Sequence, residues 1–144
     1  VTWPLPAVDV TRRFPAFRRN SRHPETPQIS RYHGLFVGGV LSLVDVHDAD
    51  TFRVVLIADD EQGVGFWPWL RLSGCDAPGL STPKGAVAQQ WTVDCLHRCG
   101  DFVVDIGGWN FDKRLSKVWI DGEDMSQLMI SAGHAVPWPE RRLR

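Results

Sequence analysis

What this chain lacks narrows its class. No apolar run approaches the roughly 20 residues of a membrane-spanning helix, so neither such a helix nor a membrane partner is expected. The first residues do not run charged, then apolar, then small, as a secretory signal does; the expectation is an intracellular setting or a place within an assembly. Val1 fits a non-standard start codon or a trimmed chain, and both stay open. Cysteine is scarce: Cys75, Cys95 and Cys99 form an odd set without paired C-x-x-C motifs. They read as buried thiols in a reducing compartment, with a bridge from Cys75 as the alternative. Cys95, His97 and Cys99 are close in sequence, but on a helix His97 points away from the i, i+4 cysteines, which argues against zinc. No internal repeat and no low-complexity run is present.

A length of 144 residues, 43% apolar and 23% charged, fits one soluble domain with a single core. The net charge of −1 conceals an uneven distribution. Residues 1–34 carry +4, residues 140–144 carry +2, and the body between them carries −7. Basic ends on an acidic body suit contact with phosphate or an acidic partner. The acidic body argues against tight, unspecific binding of duplex nucleic acid by the core alone.

Residues 1–34 hold Pro4, Pro6, Pro15, Pro24 and Pro27, half of the prolines, without sustained periodicity. They read as an extended basic arm. Trp3, Leu5, Phe14 and Phe17 are unfavourable in water, so the arm is expected to order against a partner or its own domain; a loose terminus is the alternative. From residue 35 the pattern changes. Phe36 to Val46 and Thr51 to Ile57 read as strands joined by the His47–Asp50 turn, and Asp59–Gly63 forms a second turn. Phe66 to Leu72 is a third strand, with Pro68 marking an edge or bulge.

Ser81-Thr82-Pro83 announces a helix, with Val87, Ala88, Trp91 and Cys95 at helical spacing and Gly100 as the stop. Phe102 to Ile106 and Leu115 to Ile120 read as strands, Asp121-Gly122 as a turn, Met125 to Ala132 as a short helix and Ala135 to Trp138 as a final extended piece. Three strands, a helix, two strands and a second helix is the order of an OB-fold, a small partly open barrel of five strands. The organisation is thus an arm (1–34), an OB-fold domain (35–139) and a basic tail (140–144).

Two short segments carry the chemistry. Asp48 and Asp50 share one turn, and Asp76 closes the third strand with Arg71 five residues before it. If the first and third strands are neighbours, these carboxylates converge as oxygen ligands for a hard cation such as Ca²⁺ or Mg²⁺. Arg71 could then hold a phosphate bidentately and neutralise charge in a transition state. The alternative is a common turn composition beside a surface arginine. Trp67, Trp69, Trp91, Trp109 and Trp119 have two readings as well, base stacking on an OB face or core packing.

Asp48-Ala49-Asp50-Thr51 followed by Leu70-Arg71-Leu72-Ser73-Gly74-Cys75-Asp76-Ala77-Pro78 resembles the staphylococcal nuclease (thermonuclease) family, whose text is Asp-Gly-Asp-Thr, then Arg-Leu-x-Gly-Ile-Asp-x-Pro-Glu. Val118 to Met125 and Ser131 to Ala135 look like its fourth strand, turn and second helix, so the likeness spans roughly residues 40–138. The resemblance implies a five-stranded OB barrel and Ca²⁺-dependent cleavage of DNA or RNA. It implies Asp50 and Asp76 as side-chain metal ligands, the Ala77 carbonyl as another, and Asp48 as support through water. Arg71 would grip the scissile phosphate, joined by a second cation at Lys113 or, one residue on, Arg114. The chain departs from the pattern in three ways. Gly79 stands where the water-orienting glutamate belongs, and Leu80 to Gln90 offer no replacement carboxylate. Ala49 replaces the turn glycine. The second cation falls on Lys113 if counted back from Asp121-Gly122, and a lysine lacks the planar fork. Loss of a general base lowers a rate by about 10²–10⁴. Two functions follow: a metal-dependent nuclease with weakened or lost activity, or a noncatalytic binding or structural module held in a larger assembly by its basic arm.

Overall fold

The computed structural model describes residues 31–58 and 65–138. The arm up to residue 30, the expected turn at 59–63 and the tail at 140–144 lie outside them. The first strands in chain order are β1 (Arg31–Gly34), β2 (Phe36–Val37), β3 (Val40–Leu41), β4 (Asp45–Asp48), β5 (Thr51–Arg53) and β6 (Leu56–Ala58). Then come β7 (Gly65–Phe66), β8 (Leu70–Leu72), β9 (Cys75–Asp76) and helix α1 (Pro83–Arg98). The rest is β10 (Phe102–Asn110), β11 (Lys113–Ile120), β12 (Glu123–Asp124), helix α2 (Met125–Ser131) and β13 (Val136–Pro137). The described residues are α+β, mostly strands with two helices on a large mixed sheet. Its path is β4-β5-β8-β11-β10-β1-β6-β7, antiparallel except where β8 runs parallel to β11. Among the described residues this path does not close on itself.

Both helices begin where side-chain chemistry satisfies free backbone donors. The Thr82 hydroxyl accepts from the Gly85 amide ahead of Pro83 at the first helical position, a cap worth about 0.5–2 kcal/mol. Asp124 accepts from the amides of Ser126 and Gln127 at the start of α2. The buried stripe of α1 is Gly85, Ala88, Thr92 and Leu96; of the expected residues Ala88 lies in it, Trp91 and Cys95 pack partly buried against the core beside it, and Val87 does not. Ala88 and Leu96 join the hydrophobic core, while Gly85 and Thr92 are placed by close approach and hydrogen bonding. A Cβ on Gly85 would collide with the Gly79 carbonyl, and Thr92 donates to the Ala49 carbonyl at 2.8 Å. Val87 is left exposed.

Four strand expectations are corrected, the first being Thr51 to Ile57, which is interrupted at Val54 and Val55 into β5 and β6. Phe36 to Val46 is not one strand: Gly38 and Gly39, both at positive φ, fold it into the tight β2–β3 hairpin, with Val37 opposite Val40, before β4 begins. Arg31–Gly34, expected as the end of the arm, is a sheet strand between β10 and β6. Tyr32 drives this placement; it is fully buried and packs edge-on against Phe66, with ring centroids 4.9 Å apart. The expected third strand breaks at Pro68 into β7 and β8. Phe52, Leu56, Leu70, Leu72, Leu96, Phe102, Met125 and Met129 fill the core between sheet and helices, each contributing about 1.5–3 kcal/mol on burial. The three cysteines are free thiols; burial raises Cys75 and Cys99 to about 11, so both stay protonated at neutral pH. No described helix is long and apolar enough to cross a membrane.

Candidate functional site

The β4–β5 turn is a two-residue connection, with Asp48 opposite Thr51. Neighbours clamp it from both sides. The Asp50 carbonyl accepts from the Leu72 amide at 2.9 Å, and the Gln89 side chain of α1 donates to the carbonyls of Val46 and His47. Ala49 is fully buried, and among the described residues the non-glycines at positive φ lie elsewhere, at Leu43, Phe111 and Asp121. The turn therefore does not demand glycine, and the Gly-to-Ala departure has no conformational consequence.

Adjacent pairing brings the two sequence segments together. Thr51 of β5 lies opposite Arg71 of β8, and a cavity of about 570 Å³ opens beside them. Asp48, Asp50, Arg71, Asp76, Ala77 and Lys113 all line it. Asp50 is 4% exposed. It accepts from the Ala77 amide at 2.8 Å and from the Thr51 hydroxyl at 3.1 Å, and it pairs with Arg71 Nη1 at 3.3 Å. Burial nevertheless pushes its carboxyl above the ordinary value, against the lowering by the Ala77 amide, Arg71 and Thr51.

Arg71 is the hub. Its Nη1 donates to the carbonyls of Leu72 at 2.7 Å and Cys75 at 2.9 Å, while Nη2 meets Asp76 at 3.3 Å. Its guanidinium faces the Trp138 ring, 4.1 Å from the centroid. Asp48 accepts from the Leu80 amide at 3.1 Å. The carbonyl of Gly79 accepts from both the hydroxyl and the amide of Thr82, so Gly79 belongs to the approach to α1; a Cβ there would meet open space.

The Lys113/Arg114 alternative separates by side. Lys113 lines the cavity, its ammonium 2.9 Å from Asp112. Arg114 is 4% exposed, donates to the Gly107 carbonyl at 2.9 Å and stacks 4.6 Å from the Trp109 ring, outside the cavity lining. Burial lowers its pKa to about 10, leaving it charged at neutral pH.

Sequence reasoning missed Trp138 and Phe111, which also line the cavity. Phe111 is 93% exposed at the tip of the β10–β11 hairpin with φ 58°. Of the five tryptophans considered for stacking, Trp109 lines the cavity, whereas Trp67 and Trp69 face Arg53 at 3.7 and 4.7 Å.

Among the described residues no three His, Cys, Asp or Glu side chains converge to hold one ion. The two best-placed carboxylates, Asp50 and Asp76, both contact the Arg71 guanidinium. Compared with protein-family models and with curated proteins, the chain matches none.

Proposed function

We propose that this chain is a staphylococcal-nuclease-like domain that keeps much of that family's constellation without its hydrolysis, and works as a noncatalytic binding or structural module anchored in a larger assembly by its basic arm. One observation carries this reading: the Arg71 guanidinium, which should be free to grip a phosphate, is occupied by two backbone carbonyls, two carboxylates and the Trp138 ring. Gly79 adds to it, because the position after Pro78 holds no carboxylate to orient water. Three carboxylates against two cations also give the cavity lining a net negative charge, which opposes entry of an anionic phosphate.

The fold that goes with this reading is the five-stranded OB barrel. The order of strands and helices supports it. So does the sheet path, whose β5 and β6 are two parts of the continuous segment 51–58, so that the path returns to its own chain.

The second reading is Ca²⁺-dependent hydrolysis of DNA or RNA, favoured by the gathering of Asp48, Asp50, Asp76 and Lys113 at one cavity. Asp50, Asp76 and the Ala77 carbonyl would then be the metal ligands, with Arg71 and Lys113 at the phosphate. Cleavage assays in Ca²⁺, in Mg²⁺ and in chelator, with Asp50→Ala as control, separate the two readings.

A further inference from the structure

The tip of the β10–β11 hairpin presents two aromatic rings to solvent at the mouth of the cleft. Phe111 is 93% exposed and Trp109 is 47% exposed, and both line the cavity. Phe111 also holds φ at 58°, a left-handed conformation that a hairpin turn normally gives to asparagine or glycine. Both the conformation and the exposure are unfavourable for a phenylalanine, and at 93% exposure the ring gains little from the domain in return.

The direction of β1 points to what covers these rings. Arg31 lies opposite Asp105, Tyr32 opposite Val104 and His33 opposite Val103. Each residue before Arg31 therefore steps along β10 toward Asn110 and the hairpin tip, and an extended continuation brings position 27 to the level of Trp109. Beyond Asp105 this edge of β10 has no strand partner among the described residues. The sequence that falls here is Arg22-His23-Pro24-Glu25-Thr26-Pro27, outside the described residues. A proline cannot donate to a sheet ladder, so the sequence favours a polyproline II helix, in which residues three apart share one face. Exposed aromatic rings are the surface on which a Pro-x-x-Pro face docks. Charge agrees, since residues 1–34 carry +4 and residues 35–139 carry −7.

We infer that Trp109 and Phe111 form a docking surface for a Pro-x-x-Pro segment, and that its occupant is Pro24–Pro27 of the same chain, which seats the base of the arm at the mouth of the cleft. The tip of the arm, with Trp3, Phe14, Phe17 and the arginines up to Arg19, is left for a partner. The inference goes beyond the noncatalytic reading and does not rest on it, because hydrolysis in the cleft would leave the seating of the arm unchanged.

The test is limited trypsin digestion of the whole chain, with cut sites identified by mass spectrometry. Cleavage after Arg22 reports on the docked stretch, and cleavage after Arg19 in the same sample reports on the free part of the arm. Phe111→Gly removes the ring and suits the left-handed backbone, so the fold is kept, as circular dichroism can verify. It should speed cleavage after Arg22 about tenfold relative to wild type, with the rate after Arg19 unchanged. Pro27→Ala should give a similar gain, and the double variant should be no faster than either single one, because both remove the same contact. The protection in wild type should survive dilution of about a hundredfold, as an intramolecular contact does. Protection lost on dilution would overturn the assignment to the same chain, because a second copy would then supply the segment. A rate after Arg22 that neither Phe111→Gly nor Pro27→Ala changes would overturn the docking surface itself.

Discussion

The guanidinium carbon of Arg71 lies 4.1 Å from the centroid of the Trp138 ring. The two residues are 67 positions apart, and β13 brings them together. Val136 and Pro137 pair with Asp76 and Cys75 of β9, and the Trp138 amide donates to the Gly74 carbonyl at 3.1 Å. The segment after α2 therefore forms one wall of the candidate site. Trp138→Ala is expected to lower stability by about 0.5–2 kcal/mol through loss of the cation–π contact. Denaturant unfolding measures this. In a double-mutant cycle with Arg71→Met the two losses should be less than additive, whereas full additivity would mean that the stacking carries no energy.

Lys113 and Arg114 are adjacent in sequence but face different surroundings, so their variants should part. Arg114→Ala removes a buried cation that donates to Gly107 and stacks on Trp109, and should destabilise by about 3 kcal/mol or more. Lys113→Ala removes a cavity-lining ammonium paired with exposed Asp112, and should stay within about 0.5 kcal/mol of wild type. The reverse order of the two losses, read from urea midpoints, would mean that the register of β11 differs from the one described.

Asp50 sets a pH dependence of definite sign. Its folded-state pKa is raised above the ordinary 3.8, chiefly by burial. The stability linked to its proton is therefore fully present below pH 3.8 and is lost as pH rises through the elevated folded value. Asp50→Asn keeps an acceptor for the Ala77 amide but has no proton to lose. The stability of the wild type minus that of Asp50→Asn should fall as pH rises from just below 4. A difference that rises over the same range would mean that pairing with Arg71 outweighs burial.

Much of this architecture was legible in the sequence, and the misses have physical causes. Thr82-Pro83 and Asp121-Gly122 act through local hydrogen bonds and local dihedral preference, so a short stretch of chain reveals them. Asp50 and Asp76 meet at Arg71 because β5 pairs with β8, the strand neighbourhood on which their expected approach rested. Gly38-Gly39 was hidden within an apolar stretch that reads as one strand. Arg31–Gly34 owes its place in the sheet to tertiary pairing with β6 and β10, which a proline-rich flank obscures. The buried face of α1 was legible in part: Ala88, Trp91 and Cys95 pack against the core, but Gly85 and Thr92 are fixed by close approach and a hydrogen bond, neither visible to a hydrophobicity count. Trp138 reaches the site through β13, and nothing near it in sequence indicates that.

Gly79→Glu tests whether the missing base is the whole defect. A Cβ at position 79 meets nothing within 4 Å, so the variant should fold with stability within about 0.5 kcal/mol of wild type. Because the Arg71 guanidinium is taken up by two carbonyls, two carboxylates and the Trp138 ring, the added carboxylate should not by itself produce metal-dependent cleavage. Appearance of Ca²⁺-dependent hydrolysis in this single variant would show that only the water-orienting group had been lost.

The most direct measurement is cleavage of single-stranded and duplex DNA and of RNA by the wild-type chain in Ca²⁺, in Mg²⁺ and in chelator, beside Asp50→Ala. The expected result is no metal-stimulated cleavage above that of the Asp50→Ala control. A robust Ca²⁺-dependent rate that Asp50→Ala abolishes would contradict the noncatalytic reading and return the cleft to hydrolysis.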